Sequence, residues 1–183
     1  FKNSKNVNVF IFYPKDRVSE VQRKQMTTTD GDGVFPIEID GTFDDCQNIV
    51  KDLFNDKNFN DEVKLGAINS INWGRIAAQI VYYFTSFKLL NNGSVSYSVP
   101  TGNFGDILAG WVAKKMGLPI NNLMIATNEN DILSRALKTG IYSIDKAKAT
   151  ISPSMDIQIS SNFERLLFEA YNRNAINIEE LMN

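Results

Sequence analysis

The sequence predicts an α/β protein in which parallel sheet is covered by helices on both faces. Short β-branched and aromatic segments are bounded by turn residues, and helix-type periodicity fills the stretches between them. Strands that alternate with helices in this way are typical of parallel sheets. In open sheets of this kind, ligands bind beyond the carboxyl ends of the strands. The first candidates for a site are therefore Asn69–Ser70, Thr101–Asp106 and Thr127–Asp131.

The first part of the chain carries two predicted strands and two predicted helices. The first helix begins with capping-box spacing, Ser19 with Gln22, and Thr42 can cap the second helix, with Asp45 at the third position. Cys46 falls on the apolar stripe of the second helix, where a small buried hydrophobe is expected. The predicted elements are a strand at 7–13, a helix from 19 to about 25, a strand at 34–39 in which Pro36 indicates an edge or a strand start, a helix from 42 that ends in the turn residues 55–58, and a short extended segment at 63–68.

The second part begins with a long predicted helix that Asn69 or Ser70 opens and that ends at residues 91–93. This helix is apolar nearly all round, so it should be well buried. The remaining predicted elements are a strand at 94–99, a helix at 107–116 stopped by Gly117 and Pro119, a strand at 123–126, a helix at 131–138 capped by Asn128 and ended by Gly140, and a helix opened by a capping box at 161–164, with Phe163, Leu166, Leu167 and Ala170 on its inner face.

The composition excludes several classes of function. The net charge is −2 and no basic cluster is present, so binding to nucleic acid or to a membrane surface has no electrostatic support. The chain has no histidine, which removes His-based triads and His-ligated metal sites, and no metal site is predicted. No apolar run approaches ~20 residues, so no membrane span is predicted, and no signal peptide is visible. A cytoplasmic setting is expected, which the single cysteine fits without requiring it. Both ends resemble interrupted helices, which indicates a segment of a longer chain.

The most informative stretch is the loop Gly102-Asn103-Phe104-Gly105-Asp106, between a predicted strand and a predicted helix. Backbone N–H groups at such a helix start point outward at the positive end of the helix dipole, which favours an anion such as phosphate. Gly102 and Gly105 are expected to supply positive φ angles and to permit a close approach. Glycines in this position are also common as plain turn residues, so the pattern alone leaves both interpretations open.

A second candidate site is the stretch that opens the long helix. Asn69 and Ser70 offer amide and hydroxyl groups, and Arg75 follows within two turns, a combination suited to holding an oxyanion or a phosphate. The local pattern is explained more simply by Asn69 or Ser70 as a helix cap and Arg75 as the partner of a surface carboxylate.

Two further clusters have simpler explanations. Asn128–Asp131 is interpreted as a cap and dipole complement at a helix start. Ser152–Asp156 is interpreted as a turn.

At the glycine loop the sequence resembles a known family. The stretch VPTGNFGDILAGWVAKKMGLPINNLMIATNENDIL is similar to threonine synthases, which are pyridoxal-phosphate (PLP) enzymes of fold type II. The likeness continues in FIFYPKDRVSEVQRKQMTT, GTFDDCQNIVKDLF, LGAINSINWGRIAAQIVYYF and SPSMDIQISSNFERLL, in the family's order and over nearly the whole chain. The resemblance implies a PLP-dependent carbon–oxygen lyase of threonine biosynthesis that converts O-phospho-L-homoserine and water to L-threonine and phosphate.

The resemblance also implies roles for individual residues. Gly102, Asn103, Phe104, Gly105 and Asp106 would hold the phosphate of pyridoxal 5'-phosphate with their backbone. Asn69, Ser70 and Arg75 would bind the phosphate of the substrate, and Asn103 would reach it as well. This reverses the simpler interpretation of Arg75.

The resemblance covers only a central portion of the family's length. Residues 1–68 would belong to the smaller α/β domain, and 69–183 to the linking helix and the start of the larger PLP-binding domain. The family's Schiff-base lysine lies before the first strand of this chain, so the chain alone is expected to be inactive. Two alternatives stay open: another fold type II PLP enzyme that catalyses β-replacement, and a non-catalytic α/β module that binds a phosphorylated metabolite.

Overall fold

The computed structural model describes residues 4–29, 32–90 and 93–176. The chain divides into two compact units, one formed by residues up to 65 together with 149–156, the other by 66–148 together with residues from 157 onward. The assignment of 1–68 and 69–183 to the two domains of the family stays a prediction. Among the described residues, no helix combines the length and the apolar character that crossing a membrane requires.

The first unit is built on a two-stranded parallel sheet. β1 (Val9–Pro14) pairs with β2 (Val34–Ile39), with Val9 opposite Val34 and Pro14 opposite Ile39. The connection between the strands contains α1 (Glu20–Thr27), and β2 leads into α2 (Phe43–Asn55). Parallel pairing through a helical connection is what the alternation of strands and helices predicted.

The capping box predicted at Ser19 and the cap predicted at Thr42 are confirmed, and Thr42 also forms a full capping box with Asp45. Ser19 accepts a hydrogen bond from the Gln22 N–H, and Thr42 accepts one from the Asp45 N–H. The returning hydrogen bonds from the Thr42 hydroxyl and N–H lower the pKa of the Asp45 carboxyl. Cys46 is buried as expected, and burial raises the pKa of its thiol.

The prediction for residues 55–68 is wrong in two respects. Asp56 ends α2, but its side chain also accepts from the Phe59 N–H and so starts α3 (Lys57–Val63), which was not predicted. The extended segment predicted at 63–68 is not a strand, because Lys64 adopts a left-handed conformation with φ 55° and ends α3. Turn-forming residues here restart a helix because Asp56 serves both as C-cap of one helix and as N-cap of the next.

The second unit contains the remaining regular elements. They are α4 (Trp73–Leu90), β3 (Val95–Pro100), α5 (Gly105–Lys115), β4 (Ile120–Ala126), α6 (Ile132–Thr139) and α7 (Phe163–Ala170). β3 and β4 are parallel, with Pro100 opposite Ala126 and a register irregularity between Val95 and Tyr97. The core of this unit includes Ile76, Leu108, Ile132 and Leu133, which are almost completely buried.

α4 differs from the prediction in its start and in its burial. Helical structure begins at Trp73, because residues 69–72 form a turn in which the Asn72 N–H donates to the Asn69 carbonyl. Ile76 and Tyr83 are buried, whereas Val81 and Tyr82 are more than half exposed. The expectation of burial on all sides is therefore wrong for this chain. The predicted ending at 91–93 lies partly outside the described residues, as do the chain ends at 1–3 and 177–183.

The glycine stops of α5 and α6 are confirmed. Gly117 has φ 100° and the Leu118 N–H returns to the Ala113 carbonyl at 3.0 Å, which closes the end of α5. Gly140 has φ 76° at the end of α6. The cap predicted for the start of α6 is wrong: Asn128 accepts from the Asn130 N–H within its own turn, and Asp131 occupies the N-cap position without a side-chain cap bond.

Candidate anion-binding site

The glycine loop lies where the sequence placed it, between the end of β3 and the start of α5. Thr101 is buried and fixes the loop to the sheet, since its N–H donates to the Ala126 carbonyl at 2.8 Å and its hydroxyl to the Val99 carbonyl at 2.6 Å. The loop therefore leaves the carboxyl end of the parallel pair, which is the usual place for a ligand in sheets of this class.

The left-handed residue of this loop is Phe104, and the prediction that Gly102 and Gly105 supply positive φ is wrong. Phe104 has φ 62° and ψ 7° and is the N-cap of α5. Its ring is buried and packs edge-on against the Phe163 ring at 5.4 Å between centroids. Aromatic packing thus holds a backbone conformation that costs a non-glycine residue roughly 1–2 kcal/mol.

The backbone N–H groups of this loop have no acceptor in the part of the chain that the structure describes. This holds for residues 102–106, whereas the Leu108 N–H closes the first turn of α5 on the Phe104 carbonyl at 3.1 Å. Side chains at helix N-terminal positions often satisfy such groups, but Phe104 offers no cap bond. A run of unpaired donors at the positive end of a helix can bind an anion.

Asp106 stands in the first turn of α5 and is half-buried. The Tyr83 hydroxyl donates to the Asp106 backbone carbonyl at 2.9 Å. Burial raises the pKa of the Asp106 carboxyl, and the nearby Tyr83 hydroxyl partly opposes this. Burial also raises the pKa of Tyr83, as does the neighbouring charge of Asp106. Within this loop, the Asp106 N–H is a donor for an anion, whereas the negative charge of its carboxylate opposes the binding of an anion.

We expect the Asp106→Asn protein to be more stable than the wild type at pH 7. The folded-state pKa of Asp106 lies above its ordinary value of 3.8, so its contribution to stability is fully present below that value and is lost as the pH rises through the folded-state pKa. Urea unfolding from pH 4 to 7 measures the effect. Asp45→Asn is the matched control with the opposite sign, because the Thr42 hydrogen bonds lower the pKa of Asp45. A less stable Asp106→Asn protein at pH 7 would show that attraction to the α5 dipole outweighs burial.

The second candidate stretch forms a turn before α4 and does not cap the helix through Asn69 or Ser70. The Asn69 side chain accepts from the Ile71 N–H at 3.1 Å, while Asn72 accepts from the Gly74 N–H at 2.7 Å. Arg75 is exposed, and its Nη1 donates to the Ile68 carbonyl at 3.2 Å. Within residues 4–29, 32–90 and 93–176, no carboxylate forms an ion pair with Arg75. The simpler interpretation of Arg75 as the partner of a surface carboxylate thus finds no support.

Asn162 brings the two candidate stretches together, although its sequence pattern predicted only a helix cap. It is completely buried, and its Nδ2 donates to the Ser70 carbonyl and to the Asn103 carbonyl, each at 2.9 Å. A Cβ atom added at Gly105 would lie 3.6 Å from this nitrogen and 3.8 Å from the Ser70 carbonyl oxygen. The glycine loop and the turn at 69–71 are therefore neighbours in the second unit.

The start of α7 differs from the predicted capping box at 161–164. The Ser161 hydroxyl donates to the Asn103 side chain at 3.2 Å, and Asn162, at the N-cap position, makes no cap bond. Arg165 was also missed: it donates to the Asn162 Oδ1 at 2.9 Å and to the Ile71 carbonyl at 2.6 Å. The available signal was the concentration of Ser and Asn at 160–162, which the local pattern assigned to helix capping.

The other two clusters serve local structure. Asn130 is buried and exchanges hydrogen bonds with the Lys148 backbone, donating to its carbonyl and accepting from its N–H. Asp156 accepts from the N–H and the hydroxyl of Thr150, which closes the turn predicted at 152–156.

Comparison with known proteins identifies relatives along nearly the whole chain, although no family model matches it. The threonine synthase of Saccharomyces cerevisiae is 58% identical over 172 residues, which are 91% of this chain and 34% of that protein. The threonine synthase of Pseudomonas aeruginosa is 54% identical over 180 residues, 97% of this chain and 38% of that protein. The PLP-bound threonine synthase from Brucella melitensis matches in structure with a TM-score of 0.84 and 54% identity, covering all of this chain and 40% of that one.

The structural matches define the class of protein to which this chain belongs. The α/β fold, with its parallel strand pairs and glycine loop, has the fold type II architecture of PLP-dependent enzymes. Within that class, the chain belongs to the threonine synthase family, as a segment that spans about a third to two fifths of the length of the relatives it matches. The two alternatives left open by the sequence are not favoured.

Proposed function

We propose that the protein containing this chain converts O-phospho-L-homoserine and water to L-threonine and phosphate, with pyridoxal 5'-phosphate as cofactor. The observation that carries the proposal is the pairing of two anion-binding stretches: the loop 102–106 with unpaired N–H groups, and the turn at 69–71 followed by Arg75. A reaction in which cofactor and substrate both carry a phosphate needs two such places. The identity to threonine synthases supports this choice of reaction.

The loop 102–106 fits the phosphate of PLP. Its N–H groups lie at the positive end of α5, and Gly105 has no side chain to fill the space beside Ser70 and Asn162. Asn103 offers its side chain there as well. When bound, PLP supplies an electron sink for the carbanion that such chemistry requires. The contribution of this chain is to bind and orient the phosphate end, with backbone donors that need no reorganisation.

The turn at 69–71 and Arg75 fit the phosphate of the substrate. Asn69 and Ser70 provide amide and hydroxyl donors, and Arg75 provides a guanidinium that the Ile68 carbonyl engages at one nitrogen only. A guanidinium with free N–H groups binds phosphate through paired, charge-assisted hydrogen bonds. Asn103 lies on the loop side and would reach the same phosphate.

Catalysis would also require the family's Schiff-base lysine, which the resemblance places outside this chain. We therefore infer that the segment binds and positions phosphates and that the isolated chain does not turn over. We propose a cytoplasmic setting, with a small-molecule substrate and no nucleic-acid or membrane partner, in keeping with a net charge of −2.

The test is phosphate release by the full-length protein that carries this segment. With PLP and O-phospho-L-homoserine, we expect equal amounts of inorganic phosphate and L-threonine, and neither product without PLP. The isolated 183-residue chain serves as the control and should retain no PLP after borohydride reduction and washing. A full-length protein that binds PLP but releases no phosphate would contradict the proposed reaction.

A further inference from the structure

We propose that Asn162 is a positioning residue that sets the separation between the two phosphate sites, with Arg165 fastening the turn at 69–71 and Ser160 fastening the glycine loop. This inference rests on the proposed function, since it assigns one site to the cofactor and the other to the substrate. It concerns residues that bind neither phosphate themselves and act through the backbone of those that would.

Asn162 uses both side-chain donors and its side-chain oxygen for this connection. One amide nitrogen donates to the carbonyls of Ser70 and Asn103, and its oxygen accepts from Arg165. Its own N–H donates to the same Asn103 carbonyl at 3.1 Å. With 0% exposure, no water can replace these partners, so the two carbonyls are held at the span of one amide group.

Arg165 bonds directly to the turn and to Asn162, and it makes no direct bond to the glycine loop in the described residues. Its Nη2 donates to the Ile71 carbonyl at 2.6 Å and its Nη1 holds the Asn162 oxygen at 2.9 Å. The planar fork of the guanidinium therefore fixes the turn relative to α7, a geometry that the single ammonium of a lysine does not reproduce.

Ser160 acts on the loop alone. It is buried, and its hydroxyl donates to the Gly102 carbonyl at 2.8 Å. Its N–H donates to the Tyr142 hydroxyl at 2.8 Å and not to the turn at 69–71. Ser160 thus bonds to the loop, Arg165 to the turn, and Asn162 to both. Substitutions at the three positions should separate cofactor affinity from substrate affinity.

The experiment uses the full-length protein and two readouts. The Kd for PLP is measured by fluorescence titration of the apoprotein, and KM for O-phospho-L-homoserine at saturating PLP. We expect Ser160→Ala to raise the PLP Kd about three- to tenfold with KM within about twofold, since it removes one hydrogen bond to the loop. Arg165→Lys should raise KM about tenfold with the PLP Kd within about twofold. Asn162→Asp, which loses both donors, should raise both constants about tenfold or more.

The matched control is Asn130→Asp. Asn130 is 4% exposed and, like Asn162, its side chain bonds to a distant stretch of backbone. That stretch is Lys148, which belongs to neither candidate phosphate site. Its variant should lose stability like Asn162→Asp while both constants stay within about twofold of wild type below the unfolding temperature. If Asn162→Asp does not fold, the other two variants test the inference: Ser160→Ala should raise mainly the PLP Kd, and Arg165→Lys mainly KM.

Equal shifts of both constants in Ser160→Ala and Arg165→Lys, or no shift in either, would overturn the inference. Failure of the proposed function is recognised separately, because wild-type protein would then release no phosphate. In that case the PLP Kd still tests the loop side, and broadening of the ³¹P signal of inorganic phosphate tests the turn side in the same variants.

Discussion

Replacement of Arg75 by alanine is expected to raise KM for O-phospho-L-homoserine about 10- to 100-fold and to leave the PLP Kd within about twofold. A hydrogen bond to a charged group contributes about 1.5–3 kcal/mol, and each 1.4 kcal/mol changes an affinity tenfold. Arg75 is exposed, and the structure gives its guanidinium a single partner at 3.2 Å, the Ile68 carbonyl. Its removal therefore takes away the proposed phosphate ligand with little cost to the fold.

Two variants control for charge and for general effects. Arg75→Lys keeps the charge and loses the fork, so its KM should lie between those of wild type and Arg75→Ala. Arg23→Ala removes another exposed arginine, from α1, and should change neither constant. Initial rates over a range of substrate concentrations, with PLP affinity measured on the same preparations, provide the comparison. Equal losses of PLP and substrate affinity in Arg75→Ala would contradict the assignment of Arg75 to the substrate.

Local features of the fold could be predicted because they depend on residues close in sequence. The capping boxes at Ser19 and Thr42 each join residues three positions apart, and both are present. The capping-box spacing at 161–164 predicted another box, which does not form. There, Asn162 donates to Ser70, 92 positions away, and Ser161 to Asn103, 58 positions away. Long-range partners outcompeted the local cap, and no local pattern announces them.

The assignment of the site residues stays a prediction, and the sequence left out how the two candidate stretches are built. The sequence pointed to residues 102–106 and to the stretch from Asn69 to Arg75, and the structure makes the loop and the turn neighbours. The conformation of the loop was assigned to its glycines, whereas Phe104 adopts the left-handed conformation because Phe163 packs on its ring. Arg165 lies on a predicted helix with no signal that its guanidinium reaches the Ile71 carbonyl.

Burial was the least predictable property, as α4 illustrates. An all-round apolar helix indicates a buried position, yet burial depends on which elements pack around it. In this chain α5 covers the side of Tyr83, while Val81 and Tyr82 remain more than half exposed. The same packing creates a constraint that the sequence did not reveal, at Gly110 of α5.

Gly110→Ala is expected to destabilise the protein by about 1–2 kcal/mol, although alanine favours helices over glycine by about 1 kcal/mol. A Cβ atom at Gly110 would lie 2.6 Å from two ring carbons of Tyr83 and 2.8 Å from its hydroxyl oxygen. The ring has little freedom to move, since Tyr83 is 4% exposed and its hydroxyl holds the Asp106 carbonyl at 2.9 Å. Displacement of the ring would also release the first turn of α5, so PLP affinity should fall together with stability.

A double-mutant cycle with Tyr83 tests the cause through a change of sign. In a Tyr83→Leu background the clash is removed, so Gly110→Ala should become stabilising by about 1 kcal/mol, the helix propensity that remains. Tyr83→Phe keeps the ring, so there Gly110→Ala should destabilise as in wild type. Urea unfolding of the Gly110 and Gly110→Ala proteins in each background gives the change in the free energy of unfolding. If Gly110→Ala still destabilises the protein in the Tyr83→Leu background, the steric clash does not involve the Tyr83 ring. If Gly110→Ala stabilises the Tyr83→Leu protein and destabilises the Tyr83→Phe protein, the close approach of α4 and α5 is the reason for glycine at this position.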